Sequence, residues 1–104
     1  MAKNITKVLF SYPNGTGPLY YDCEGHSDYV SDMGWNDCCV AVSTLNVMLI
    51  NYIEQYGIEP EICQDGHVRI VIEDADEYII EVFKAAEKQF WWLSDRYKER
   101  VRCY

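Results

Sequence analysis

The order of strand-like and helix-like segments constrains the fold of this 104-residue chain more than any other feature. Four short segments are rich in β-branched and aromatic residues: 5–11, 19–23, 61–64 and 68–72. The first two flank a Pro- and Gly-rich turn at 13–18, and the last two flank Asp65-Gly66, a dipeptide typical of two-residue hairpin turns. The pattern therefore predicts two antiparallel hairpins.

Each predicted hairpin precedes a long segment with helical periodicity. The first helix is predicted over 36–56, ending before Gly57, and the second over 76–99, with Asp74 or Asp76 as its N-cap. The expected core-facing residues are Val40, Leu45, Val47, Met48, Leu49, Tyr52 and Ile53 in the first helix, and Ile79, Val82, Phe83, Ala86, Phe90, Leu93 and Tyr97 in the second. At least one of Trp91 and Trp92 must then point partly outward. The two can simply extend the core, or serve a dimer seam or a peptide-docking surface.

These elements predict one α+β domain over residues 1–104. We expect two layers: a mainly antiparallel sheet, made of the two hairpins and a short C-terminal strand at 101–104, and two long helices on one face of that sheet.

Composition narrows the classes of partner. A net charge of −8 argues against direct binding of nucleic acid, which needs a basic surface. The longest apolar run, 47–53, is interrupted by Asn51 and is too short to span a bilayer, so no membrane association is expected. Five cysteines, an odd number, and the lack of a secretory signal favour a cytoplasmic protein with reduced thiols.

Cys39 and His26 are the residues with the clearest chemical potential. Cys39 falls in the first turn of the predicted first helix, where backbone N–H groups without intrahelical partners stabilise a thiolate. His26 lies thirteen residues earlier, in a loop over 24–35 that carries Gly25 and Gly34. An imidazole there can take the thiol proton and later give it to a leaving amine. Ser43, four residues after Cys39, shares its helix face and can orient the thiolate or a substrate carbonyl.

Less specific interpretations of the same residues stay open. Cys39 can be a buried structural cysteine, and Ser43 can bond a carbonyl one turn back. A zinc site at His26, Cys38 and Cys39 is disfavoured because neither C-x-x-C nor H-x-x-x-H occurs, so no metal and no cofactor are expected. Cys38 is expected to face the core or a neighbouring loop. His67, just after the hairpin turn, is expected to be exposed and outside the site.

The ordered set of motifs resembles the ribosomal-processing cysteine protease (Prp) family. Gly25-His26-Ser27 is similar to the family's Gly-His-Ala, and Gly34 with the run 39–43 is similar to its Gly-x-Asp-x-x-Cys-Ala-Ala-x-Ser. The resemblance continues through the Asp65-Gly66 hairpin and the second helix to the C-terminal tail. Either short motif alone is weak, but the ordered set covers almost the whole chain.

The resemblance implies a homodimeric cysteine endopeptidase with Cys39 as nucleophile and His26 as general base. Its substrate would be the N-terminal extension of a large-subunit ribosomal protein or, as in some phage systems, a capsid or scaffold protein. Gly25, Gly34, Asn36 and Ser43 carry over as accessory or substrate-binding residues.

Three departures from the family pattern suit a divergent or prophage-encoded member. Asn36 replaces the aspartate three residues before the cysteine, the loop between the histidine and the glycine is one residue longer, and Cys38 adds a second thiol. Asn36 can still bond the loop but supplies no charge. These changes leave open an alternative of another class, a non-catalytic dimeric binding module that retains the protease fold.

Overall fold

The computed structural model describes residues 5–14, 17–25, 37–64 and 66–104. The hydrogen-bonded elements follow the predicted order. They are β1 (Thr6–Ser11), β2 (Leu19–Glu24), α1 (Asp37–Glu54), β3 (Ile62–Gln64), β4 (His67–Ile72), α2 (Glu77–Arg96) and β5 (Val101–Cys103). The predicted strands match within about one residue at each end, and the helices end two or three residues earlier than the sequence suggested.

The five strands form one sheet in the order β3-β4-β2-β1-β5. Both predicted hairpins, β1–β2 and β3–β4, pair antiparallel, and β4 lies antiparallel to β2. The C-terminal strand β5 adds a parallel edge beside β1, with Val8 opposite Cys103. The predicted α+β architecture with a mainly antiparallel sheet is confirmed.

Both helices cover the same face of the sheet. Alternate residues of the three longer strands are buried, as a period of two requires. Tyr21 on this face contacts both helices: its hydroxyl donates a hydrogen bond to Asn46 of α1, and its ring lies edge-on to Phe83 of α2, with centroids 6.1 Å apart. Phe10 and Phe90 complete the aromatic cluster at the centre of the core.

The second helix buries the face that its sequence predicts. Its buried residues are Ile79, Phe83, Ala86, Phe90 and Leu93, all predicted core positions. Asp76, one of the two predicted caps, accepts a hydrogen bond from the Ile79 N–H at 2.9 Å. Trp91 and Trp92 are both about half exposed, so the prediction that at least one points outward is confirmed.

The face that the first helix buries matches the predicted one only in part, since Leu45, Leu49, Tyr52 and Ile53 lie in or against the core. Its buried residues are Cys38, Val42, Leu49 and Ile53. Leu49 and Ile53 were predicted core residues, Cys38 was expected to face the core or a neighbouring loop, and Val42 was not predicted. The expected core residues Val40, Val47 and Met48 are 56%, 55% and 42% exposed. Apolar residues occur on nearly every side of α1, so periodicity alone does not select the side that packs on the sheet.

Within the described residues, neither helix combines the length and the apolar character that crossing a bilayer requires.

Candidate functional site

The two adjacent cysteines of α1 have different surroundings. Because α1 begins at Asp37, both lie in its first turn. Cys38 is completely buried in the core, as expected, whereas Cys39 is partly exposed. Successive residues of a helix are about 100° apart around its axis, so one thiol can pack inward while the next reaches solvent. Cys39 is therefore the thiol that a second molecule can reach.

Cys39 borders a cavity of about 210 Å³ between α1 and the ends of the neighbouring strands. Ser43 and Asn46 line the same cavity, four and seven residues after Cys39. This spacing places the three polar side chains along one face of α1. The other lining residues are Thr6, Cys23, Gly25, Val42, Val47, Ile50, Cys63, Gln64, Gly66, His67 and Val68.

A hydrogen-bonded network holds Asn46 at the wall of this cavity. Its Oδ1 accepts a hydrogen bond from the Tyr21 hydroxyl, and its Nδ2 donates to Cys23 Sγ at 3.6 Å. Burial raises the pKa of both the Tyr21 hydroxyl and the Cys23 thiol, so both keep their protons at neutral pH. The network fixes the Asn46 amide against a rigid part of the sheet.

Gly25 occupies a position that tolerates no side chain. Its φ of +107° favours glycine, and a Cβ added there would lie 2.3 Å from the Ile5 carbonyl oxygen. Its N–H donates to the Gly66 carbonyl at 2.8 Å, and its own carbonyl accepts from Thr6 Oγ1 at 3.4 Å. Hydrogen bonds therefore hold Gly25, the residue before His26, against the start of β1 and the residue that precedes β4.

The remaining predicted site residues, His26, Gly34 and Asn36, lie outside the described residues. Of the predicted set, the structure thus brings together Gly25, Cys39 and Ser43, which line the same cavity.

His67, the second histidine of the chain, is engaged away from Cys39. It borders the cavity, but its Nε2 lies 2.6 Å from Asp22 Oδ1. Asp22 and His67 alternate with the buried Cys23 and Val68 on their strands, so the pair lies on the sheet face opposite the helices. Asp22 also explains why His67 is less exposed than expected, with 16% of its side chain accessible.

Asp22, Glu24 and His67 are the one group among the described residues that could hold a metal ion. One ligand atom from each lies within 4.8 Å of the others. Arg69 stands 3.6 Å from the second Asp22 oxygen, however, and already supplies a positive charge there. The carboxylate is satisfied by protein groups, and we assign it a structural role between β2 and β4.

A second, shallower groove runs along the exposed side of α1. It has a volume of about 360 Å³ and is lined by Cys39, Val40, Ser43, Thr44 and Val47. Cys39 and Ser43 thus border both the cavity and the more open apolar groove. The sequence analysis missed this groove because it assigned Val40 and Val47 to the core.

Asn46 also lines the cavity, and no sequence motif predicted it there. The available signal was its spacing: positions 39, 43 and 46 follow the i, i+4, i+7 pattern of one helix face. Spacing alone does not distinguish Asn46 from the other residues of that face, because its bonds to Tyr21 and Cys23 become visible only in the folded chain.

Solved structures with this fold include ribosomal-processing enzymes. The S. aureus ribosomal processing protease Prp with a covalently linked product peptide matches with a TM-score of 0.74 and 19% identity, over 95% of this chain and 97% of that one. SMU.848 from Streptococcus mutans matches with a TM-score of 0.70 and 23% identity, over 95% and 91%. Prp from S. aureus with a substrate peptide gives 0.69 and 18%, over 97% of both chains. No protein-family profile matches the chain, and neither does the sequence of any curated protein. The protein therefore has the fold of these structures.

Proposed function

We propose that this chain, which has the fold of Prp, is a cysteine endopeptidase with Cys39 as nucleophile and His26 as general base. The observation that carries the proposal is the position of Cys39: a reachable thiol in the first turn of α1, bordering both a cavity and a more open groove. The fold adds support, because the S. aureus Prp structures contain a substrate or product peptide.

The reaction follows from the chemistry of a thiol at a helix start. His26 takes the proton of Cys39 Sγ, and the thiolate attacks the carbonyl carbon of the scissile peptide bond. The positive end of the helix dipole at the start of α1 stabilises the oxyanion. The imidazolium then protonates the leaving amine. Water, deprotonated by His26, hydrolyses the resulting thioester and restores the thiol.

His67 does not compete with His26 for the role of base. Its imidazole is bonded to Asp22 on the sheet face that lies away from α1. Since the chain has two histidines, His26 is the one left to serve Cys39. Gly25, which precedes His26, is hydrogen-bonded to Gly66 and Thr6, so the position of the residue before the proposed base is fixed.

The substrate class follows from the resemblance. We propose the N-terminal extension of a large-subunit ribosomal protein as substrate, with a phage capsid or scaffold protein as the alternative. We also propose a homodimer, for which the half-exposed Trp91 and Trp92 offer contact area. A cytoplasmic location suits the five cysteines, all of which carry thiols.

Neighbouring cysteines provide a matched test of the nucleophile. We expect the wild-type protein to cleave a peptide spanning the ribosomal extension into two products by mass spectrometry, and Cys39→Ala to produce neither. Cys38→Ala removes a thiol one residue away that is fully buried, so this variant should lose some stability but still cleave when folded. Cleavage that survives in Cys39→Ala would refute the assigned nucleophile. A phage scaffold peptide in parallel separates the two substrate classes.

The non-catalytic binding module remains a second candidate because the apolar groove beside Cys39 can hold a peptide whether or not a bond is broken. A wild-type protein that binds the peptide and leaves it intact would support the module. Faster alkylation of Cys39 than of the exposed Cys63 by iodoacetamide at pH 6 would instead support an activated nucleophile.

A further inference from the structure

We propose that Asn46 binds the main chain of the substrate, about three residues from the scissile bond. This inference rests on the proposed function and adds a substrate-binding residue to it. The Asn46 amide would form a pair of hydrogen bonds with one peptide residue lying in the cavity of about 210 Å³.

The first argument is the unused hydrogen-bonding capacity of the Asn46 side chain. An asparagine amide has two N–H donors and an oxygen with two lone pairs. Within the described part of the chain, the bonds to Tyr21 and Cys23 use one lone pair and one N–H. Counted over the described residues, one donor and one acceptor remain at the wall of a cavity that Asn46 lines. In an extended peptide, the N–H and C=O of one residue point to the same side. They can therefore bind the remaining acceptor and donor of the Asn46 amide.

The second argument is distance along the helix. Asn46 follows Cys39 by seven residues, which corresponds to a rise of about 10 Å along α1. An extended peptide advances about 3.3 Å per residue, so the peptide residue beside Asn46 is about three residues from the carbonyl attacked by Cys39. Ser43 lies between them, about 6 Å from the thiol along the axis.

The third argument is rigidity. Tyr21 and Cys23 are 0% and 3% exposed, and both belong to the central strand β2. Because these partners cannot move without disturbing the core, the Asn46 amide is held ready before the substrate arrives, which lowers the entropy cost of binding. Tyr21 acts through Asn46 and is a positioning residue.

The test compares peptides that carry single backbone esters. An ester replaces one peptide N–H by oxygen, so it deletes one donor and leaves the side chains unchanged. The probe is the fluorescent ribosomal-extension peptide with an ester at each of the three residues on either side of the scissile bond. Dissociation constants are measured by fluorescence anisotropy with Cys39→Ala protein, which keeps the peptide intact.

We expect the ester at one position, about three residues from the scissile bond, to weaken binding about fivefold. Asn46→Ala in the same background should weaken binding of the all-amide peptide about tenfold. In this variant the ester at the sensitive position should no longer weaken binding, whereas the effects of the other esters should be unchanged. Asn51→Ala is the matched control, since Asn51 is an exposed asparagine of α1 outside the cavity, and should bind like the parent. Tyr21→Phe should give an intermediate loss at the same position.

Asn46→Ala leaves the buried Tyr21 hydroxyl without its acceptor, which lowers stability. A control must therefore separate a loss of folded protein from the loss of a substrate contact. The double variant Tyr21→Phe/Asn46→Ala removes both partners and should reproduce the binding loss. If the sensitive ester stays sensitive without Asn46, or Asn46→Ala binds within twofold of the parent, the inference is wrong. Cleavage by the Cys39-intact protein, measured in parallel, shows separately whether the proposed function holds. A protein that neither binds nor cleaves the peptide overturns both.

Discussion

Gly25 shows how a single residue fixes the approach to the site. Gly17 and Gly25 have almost the same φ, +105° and +107°. They differ in their surroundings: a Cβ at Gly17 would meet nothing within 4 Å, whereas one at Gly25 would lie 2.3 Å from the Ile5 carbonyl oxygen. Substituting Gly17 therefore measures the loss of stability caused by an unusual φ, and substituting Gly25 adds the loss caused by a steric clash.

We expect Gly17→Ala to lower the free energy of unfolding by about 1 kcal/mol through backbone strain. Gly25→Ala should cost about 2 kcal/mol more, because the Ile5 backbone must also move. Urea unfolding of both variants measures the difference, and peptide cleavage should fall in Gly25→Ala alone. Equal losses of stability would show that the contact with Ile5 is easily relieved.

The sequence motifs grouped residues that the fold brings to one place, although their roles stay predictions. Cys39 and Ser43 line one cavity with Gly25, as their joint selection implied. Asn46 was not predictable in this way, since its importance comes from Tyr21 and Cys23, which reach it from β2 across the core. A hydrogen bond between a strand and a helix leaves no local trace in the sequence.

At the scale of elements, the two helices differ in how clearly their sequences specify orientation. Charged residues on α2 delimit its apolar face, so its buried residues were predicted correctly. In α1, apolar residues surround the axis, and Val40 and Val47 are exposed while Cys38 and Val42 are buried. The side of α1 that faces the sheet is decided by contacts such as that between Tyr21 and Asn46, which only the folded chain reveals.

The start of α2 depends on a single side chain. Asp76 Oδ1 accepts the Ile79 N–H at 2.9 Å and satisfies one of the free donors of the first turn. We expect Asp76→Ala to lower the free energy of unfolding by about 1 kcal/mol, and Asp76→Ser, which retains a capping oxygen, to lower it by less than half as much. Urea denaturation followed by circular dichroism measures both. Equal losses in the two variants would show that the charge, and not the cap, matters.

For the whole molecule, cysteine and tyrosine side chains that are buried or partly buried set a limit on stability at high pH. Burial raises the pKa of Cys103 from 9.0 to about 11, and it also raises the pKa of Cys23 and Tyr21. Tyr12 is affected in the same direction, by burial first and then by its hydrogen bond to Glu87. All four groups are therefore more readily deprotonated in the unfolded chain than in the folded protein.

The sign of the pH effect follows from proton binding. Between pH 9 and about 11 the folded protein retains the Cys103 proton that the unfolded chain has released, so the free energy of unfolding must fall as pH rises through this window. We expect the urea midpoint to be flat from pH 7 to 8.5 and to drop steadily above pH 9, in the presence of a phosphine reductant. Cys103→Ala removes one of the titrating groups, so its midpoint should drop less steeply.

Surface repulsion in a chain of net charge −8 would also weaken the fold at high pH, but salt distinguishes it from the deprotonation of these cysteines and tyrosines. At 1 M NaCl the Debye length is about 3 Å, which screens repulsion between exposed charges and leaves the desolvation of a buried thiolate almost unchanged. The drop above pH 9 should therefore persist in 1 M NaCl, and so should the difference between wild type and Cys103→Ala. If salt removes the drop, surface charge and not the buried thiols and phenols limits the alkaline stability of the protein.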